Sequence, residues 1–468
     1  MAVMRKWSPL IAVCLGTFLL LVDVTIVVVA LPALADDLDS SFADLQWVLD
    51  GYALALAALL LGAGSLADRY GRRRAYLVGV ALFGAASLAC ALAPNAPFLI
   101  GARVVQGVGG AAMFATTAAI LNVTYSGRDR GVAFGVWGAV NGAAAAAGPI
   151  VGGLLTEHFD WRWIFLVNLP VCAAAAWYAV RGLTESKAPH QKSFDLPGTL
   201  TFTLAAGAVV YGLIRATGDG WTDRWTLTSF AVGVAASVAF VVVERLSAHP
   251  MLDLDLFRGA SFRALILAAL LAQAAAFAYL PYTTVWLQQV LGHGPVDAGL
   301  LGALPMSGAA LVVGALAGGP LQRIAPRITV GVGLVLIGAG AAAQANLDAH
   351  SGGAALIPGL ILTGVGVGAV LPNLASAVLA AVPRERSGMA SGALNTFRQL
   401  GFALGVAVFG ALFQHQVDEH GGDVRAGFAA GLNAALWLAA ALALVAAALV
   451  LVSVRRNAGS DLRQTAPH

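Results

Sequence analysis

Asp23 interrupts an apolar run, Phe18-Leu19-Leu20-Leu21-Val22, and Val24-Thr25-Ile26 follows it. Counted as a helix from Leu10, it lies about 20 Å along the segment. A lone carboxylate at that depth in a bilayer is costly and must face a protein interior or a wet cavity. Low dielectric disfavours its charged form. Such a group holds a proton or pairs with a cation, but not both at once, and that competition is the core of proton–cation exchange. The structural alternative is a buried Asp capping Thr25 or a backbone amide. Asp50, in Gln46-Trp47-Val48-Leu49-Asp50-Gly51-Tyr52, has two open readings: a second exchanging acid, or a solvated acid at a helix start. Arg103, in Arg103-Val104-Val105-Gln106-Gly107, either reaches up to the interface or bonds inward beside Gln106. Arg398, in Asn395-Thr396-Phe397-Arg398-Gln399, stands about 12 Å into its own segment. There it can shape a cavity or repel a cation. Trp47, Tyr52, Trp137, Tyr279 and Tyr282 can line a cavity for cationic aromatic compounds, or serve as packing and interface residues.

Other chemistries find no foothold. No His/Cys/Asp/Glu spacing forms a metal site, and no nucleophile–base pair is evident, so no enzyme is expected. Gly107-Val108-Gly109-Gly110 follows no strand and is no phosphate loop. Cys14, Cys90 and Cys172 fall in apolar segments and read as small core residues. No cofactor and no nucleic acid are expected as partners.

The elements that position these residues are membrane helices. The 468-residue chain is 59% hydrophobic and 11% charged, against about 25% charged for soluble proteins. Crossing the hydrocarbon takes roughly 20 apolar residues. Fourteen stretches qualify: 8–31, 45–66, 75–93, 98–122, 131–155, 161–181, 196–215, 225–243, 262–287, 297–318, 328–346, 354–381, 388–414 and 427–453. They absorb most of the length and leave no large soluble domain. The first is too long for a signal-peptide core and lacks a small-residue cleavage site.

Basic residues fall in every second gap: Arg5 and Lys6, Arg69 with Arg72 to Arg74, Arg128 and Arg130, Arg181 with Lys187 and Lys192, Arg245 with Arg258 and Arg263, Arg323 and Arg327, Arg384 and Arg386, and the tail arginines. The first opposite loop holds Asp36, Asp37, Asp39 and Asp44. The positive-inside rule then puts both termini in the cytoplasm. Twenty-four Arg against three Lys suggest a GC-rich bacterial source and a plasma-membrane home.

The chain echoes itself. Arg128-Asp129-Arg130-Gly131 before the fifth span matches Arg384-Glu385-Arg386-Ser387-Gly388 before the thirteenth, and the loop from Gly64 to Arg72 matches Gly319 to Arg327. The expected fold is all-α and integral to the membrane: two six-helix bundles, 1–184 and 262–454, with two added central helices in 185–261 and a cytoplasmic tail over 455–468. A monomer is expected.

Four motifs in order resemble the major facilitator superfamily, and more narrowly its fourteen-helix drug:proton antiporter-2 branch. They are Asp23 to Pro32, the loop Gly64 to Arg74, Arg103 to Gly107, and Gly148-Pro149-Ile150-Val151-Gly152-Gly153. Val28 stands where many members have Asn, and Ala144 where Gly is usual. The resemblance implies that Gly64, Asp68, Arg69, Gly71 and Arg72 form a cytoplasmic conformational latch. It implies that Arg103 and Gln106 organise a proton path. Gly148, Pro149, Gly152 and Gly153, the antiporter motif, would seal the two bundles against proton leak. Some quaternary-ammonium exporters of the branch carry an acid at the place of Asp50. The implied activity is export of cationic or amphipathic drugs by alternating access, driven by the proton gradient. The alternative is a facilitator-type importer or exporter of a small metabolite.

Overall fold

The computed structural model describes residues 2–187, 195–248, 250–317, 324–383, 386–420 and 423–454. The second loop copy from Gly319 to Arg323, Lys192, Arg384, Glu385 and the tail arginines lie outside them. Among the described residues the regular structure is helical: α1 (Ala2–Leu38), α2 (Phe42–Tyr70), α3 (Arg72–Ala91), α4 (Ala96–Thr124), α5 (Gly127–His158), α6 (Trp163–Leu166), α7 (Asn168–Gly182), α8 (Leu196–Asp219), α9 (Arg224–Leu246), α10 (Ala260–Phe277), α11 (Leu280–Val285), α12 (Pro295–Gly302), α13 (Leu304–Ala317), α14 (Pro326–Gln344), α15 (Ile357–Ala380), α16 (Ser387–Glu419) and α17 (Val424–Ser453). Twelve of these segments, some built from consecutive helices, are long and apolar enough to cross a membrane, or thirteen if a pair bent by 44° is one span. The expected number was fourteen; α5 covers the fifth expected span and stands outside that count.

Proline explains where expected spans break. It removes a backbone donor and crowds the preceding turn. Pro170 follows the gap between α6 and α7, Pro281 starts α11 after α10, and Pro305 follows the bend between α12 and α13. Acids also start helices, Asp44 of the acidic first loop among them. Asp44 and Ser41 form a reciprocal capping box at α2, and Asp223 caps α9.

One set of helices packs α1 on α5 and α7, α2 on α4, and α3 on α4 and α7. A second packs α10 on α16 and α17, α15 on α13 and α14, and α14 on α17. The hairpin α8–α9 stands beside both. Its α8 leans on α2 and α16, while α9 shows Val234, Val238, Val242 and Leu246 to the surroundings. The sets meet along α2–α16 and where α5 touches α12 and α13. We call α2–α16 the seam, the end near 36–44 the acidic end, and the end near 69–74 the basic end.

Candidate functional site: two buried acids, one paired and one alone

Asp23 is 0% exposed, and it is not alone. Arg103 of α4 sets its Nη1 2.5 Å from Asp23 Oδ2. Gln106, one turn on, donates to Asp23 Oδ1 at 2.8 Å, and Asn168 at the head of α7 donates to the same oxygen at 3.0 Å. Ser87 Oγ on α3 accepts from both amides, at 2.9 and 3.3 Å. Arg103 has further ties: its Nε donates to the Val48 carbonyl at 3.0 Å, and its guanidinium lies 4.4 Å from the Tyr52 ring centre. Five helices of one bundle, α1, α2, α3, α4 and α7, thus converge on one ion pair. The capping alternative for Asp23 gives way, because its oxygens are met by side chains from other helices rather than by Thr25. Thr25 bonds back to its own helix at Leu21 and Val22. Arg103 bonds inward and does not reach the interface.

Asp50 presents the opposite case. It too is 0% exposed, which removes the reading as a solvated helix-start acid. Among the described residues neither carboxylate oxygen has a hydrogen-bond partner. Its position on the seam follows from spacing. Gln46 bonds the Tyr282 hydroxyl at 3.1 Å, Ala57 accepts from Thr396 at 3.3 Å, and Leu61 lies against Gly392. Residues 46, 50, 57 and 61 share one helical face. Gln46 also reaches toward the Val406 carbonyl, so α2 and α16 run antiparallel, and their register sets Asp50 level with buried Phe402 and Ala403. Tyr282 lies within electrostatic reach of Asp50. A small cavity toward the acidic end is lined by Phe42, Gln46, Leu49, Tyr282 and Val406. Phe42, Tyr282 and Phe413 stack around it with ring centres 5.3–6.0 Å apart.

The five candidate aromatics do not form one lining. Tyr282 lines the seam cavity, and Trp47 packs on Tyr211 of α8. Tyr52 stacks on Arg103, Trp137 donates to Thr17 at 2.8 Å, and the Tyr279 hydroxyl accepts from Gln344 inside the second bundle. Arg398 bonds Gln273 at 3.3 Å and lines a separate cavity there with Phe277 and Leu371.

The turn between α2 and α3 holds Arg72 Nε 2.6 Å from Asp68 Oδ1. Gly71 has a φ of 123°, open to glycine but strained for other residues. Glu185, beyond α7, accepts from the Arg73 and Arg74 amides, and Arg72 N–H donates to the Ser186 carbonyl. Arg69 lies 5.4 Å from the Tyr70 ring centre, and a Cβ on Gly64 would make only ordinary contact with Ala115. The antiporter glycines have two neighbours. Gly148 and Gly152 press on Thr25 and Ile26 of α1. Gly153 lies across the bundles, where a Cβ would stand 2.7 Å from Val296 Cα and 2.8 Å from the Pro295 carbonyl. Gly299 returns the contact on the Pro149 carbonyl, and Glu157 accepts from the Val296 amide at 3.1 Å.

Ser87, Asn168 and Gln46 escaped the sequence reading. Each is a polar side chain in an apolar stretch, a signal that was present but shared with harmless residues such as Thr116, which bonds back to its own helix.

The chain matches the family model described as Major Facilitator Superfamily over residues 13–406 and 265–466. The chain belongs to the Major Facilitator Superfamily. Its similar relatives within this superfamily include the multidrug resistance protein Stp of Mycobacterium tuberculosis, 38% identical over 86% of this chain and 75% of that protein. The tetracenomycin C resistance and export protein of Streptomyces glaucescens is 36% identical over 89% and 77%. The multidrug efflux pump LfrA of Mycolicibacterium smegmatis is 33% identical over 99% and 93%. Among solved structures, a POT family transporter in complex with a thioalcohol-conjugated peptide superposes with a TM-score of 0.69 at 14% identity, covering 96% of both chains. A D-xylose–proton symporter gives 0.68 at 14% identity, covering 96% of this chain and 98% of that one. At such identities the likeness is one of fold.

Proposed function

We propose that this transporter exports cationic or amphipathic drugs across the bacterial plasma membrane, as a monomer, in exchange for protons moving inward. The basic loops face the cytoplasm together with both termini, and the proton gradient is the only drive. The resistance and export proteins among its relatives support the cargo class. Asp50 carries the coupling step: it is a buried acid at the meeting of the bundles with no partner of its own. A cation entering beside Tyr282 satisfies it, and a proton arriving from outside displaces that cation. Asp23, with Arg103 and Gln106, is the fixed charge pair that holds α1, α4 and α7 as one body while the bundles rock. Arg398 keeps a positive field on the facing side. The α5–α12 contact at Gly153 seals the resting protein, and Asp68–Arg72 steadies the basic-end turn. One proton crossing 100 mV releases about 2.3 kcal/mol, enough for a modest cargo gradient.

Everted vesicles given a lipophilic cation in the external medium test this. Proton-driven uptake is expected to vanish in Asp50→Asn while the protein remains folded and inserted. Uptake that stays coupled in that variant would exclude Asp50 as the exchanging acid.

A further inference from the structure

A second pair of acids lies at the basic end of the α8–α9 hairpin, remote in sequence from both acids above. Asp195 caps α8, its Oδ1 accepting from the Gly198 amide at 2.9 Å, and its Oδ2 accepts from the Met251 amide at 3.1 Å. Glu244, in the last turn of α9, accepts the Leu252 amide on Oε2 at 2.9 Å. Its other oxygen, Oε1, is buried with no donor among the described residues. Glu244 is 3% exposed and Asp195 9%. The two side chains converge over Gly198, where a Cβ would stand 2.5 Å from Glu244 Oε1 and 2.6 Å from Asp195 Oδ2. Among the described residues neither acid makes a salt bridge. The remaining charge bearing on Glu244 is Asp253, which is paired with Arg386 at 2.9 Å. Arg245, next in the chain, is exposed.

Two carboxyl groups this close, out of water and without a cation, do not both ionise. We propose that Asp195 and Glu244 share one proton, with Glu244 Oε1–H donating to Asp195 Oδ2, and that this shared proton is a clasp on the linker from Met251 to Asp253. With the proton present, both acids hold the linker amides. When it leaves to water at the basic end, the two oxygens repel and the Met251 and Leu252 amides are released. The clasp reaches the seam, because Asp253 pairs with Arg386 at the start of α16 and its amide lies 3.1 Å from Met389 Sδ. The added hairpin thus acts as a proton-sensitive tether on the helix that closes against α2. The clasp is full at low pH on that face and is lost as pH rises through the pair's proton affinity. It does not depend on which cargo is carried.

Hydrogen exchange on the full-length transporter in proteoliposomes, corrected for the intrinsic pH dependence of exchange, reads this directly. From mildly acidic to mildly alkaline pH, protection of the Met251 and Leu252 amides should fall by about tenfold per pH unit above the pair's proton affinity, the slope of one proton. Glu244→Gln, whose amide donates to Asp195 at every pH, should hold protection flat. Gly198→Ala, which drives a methyl between the oxygens, should lose it at every pH. The infrared spectrum of Glu244→Gln should lack one protonated-carboxyl band of the wild type. A flat wild-type profile, an unchanged slope in Glu244→Gln, or retention of that band would overturn the proposal.

Discussion

Asp23 and Asp50 sit on neighbouring helices, are equally buried, and differ in company. Asp23 has a cation and two amides on its oxygens; Asp50 has no hydrogen-bond partner among the described residues. A fully partnered buried acid welds helices together, and removing a partner strands a charge. An unpartnered one contributes no bond to the fold and is free to take a proton or a cargo cation. Burial alone therefore does not mark the exchanging group. The two acids differ instead in the number of donors on their oxygens.

The comparison breaks or holds on stability measurements. The largest effect is expected for Arg103→Leu, which leaves Asp23 uncompensated and should cost about 3–5 kcal/mol, read as a lowered unfolding midpoint in mixed micelles. Asn168→Leu removes one hydrogen bond to a charged oxygen and should cost about 1.5–3 kcal/mol in the same assay. Asp50→Asn should shift the midpoint by no more than about 1 kcal/mol, a single bond's worth, although it abolishes coupled uptake. If Asp50→Asn destabilised the protein as much as Arg103→Leu, the distinction between the two sites would fail. If Arg103→Leu were neutral, the five-helix junction would not be what holds the first bundle.

Much of this was legible in the residues themselves. Long apolar runs separated by alternating basic gaps leave a chain little choice but to span a bilayer as helices, because backbone groups in hydrocarbon must bond internally. Prolines at 170, 281 and 305 were visible too, but whether each kinks, splits or starts a helix depends on neighbours that relieve the lost bond. The motif around Gly148 also stood out, while its partner across the bundles, Pro295–Val296, carried no mark.

The two acids show where reading along the chain stops. Depth along its segment identified Asp23 as costly, and left Asp50 open between an exchanging acid and a solvated helix start. It favoured the deeper residue, because rise along a helix measures depth and nothing else. Partnership is a property of space: Arg103 is 80 positions from Asp23 and Asn168 is 145. Only packing α1, α4 and α7 side by side brings those groups onto one carboxylate. Only the antiparallel lie of α2 on α16 walls Asp50 off from water without giving it a donor.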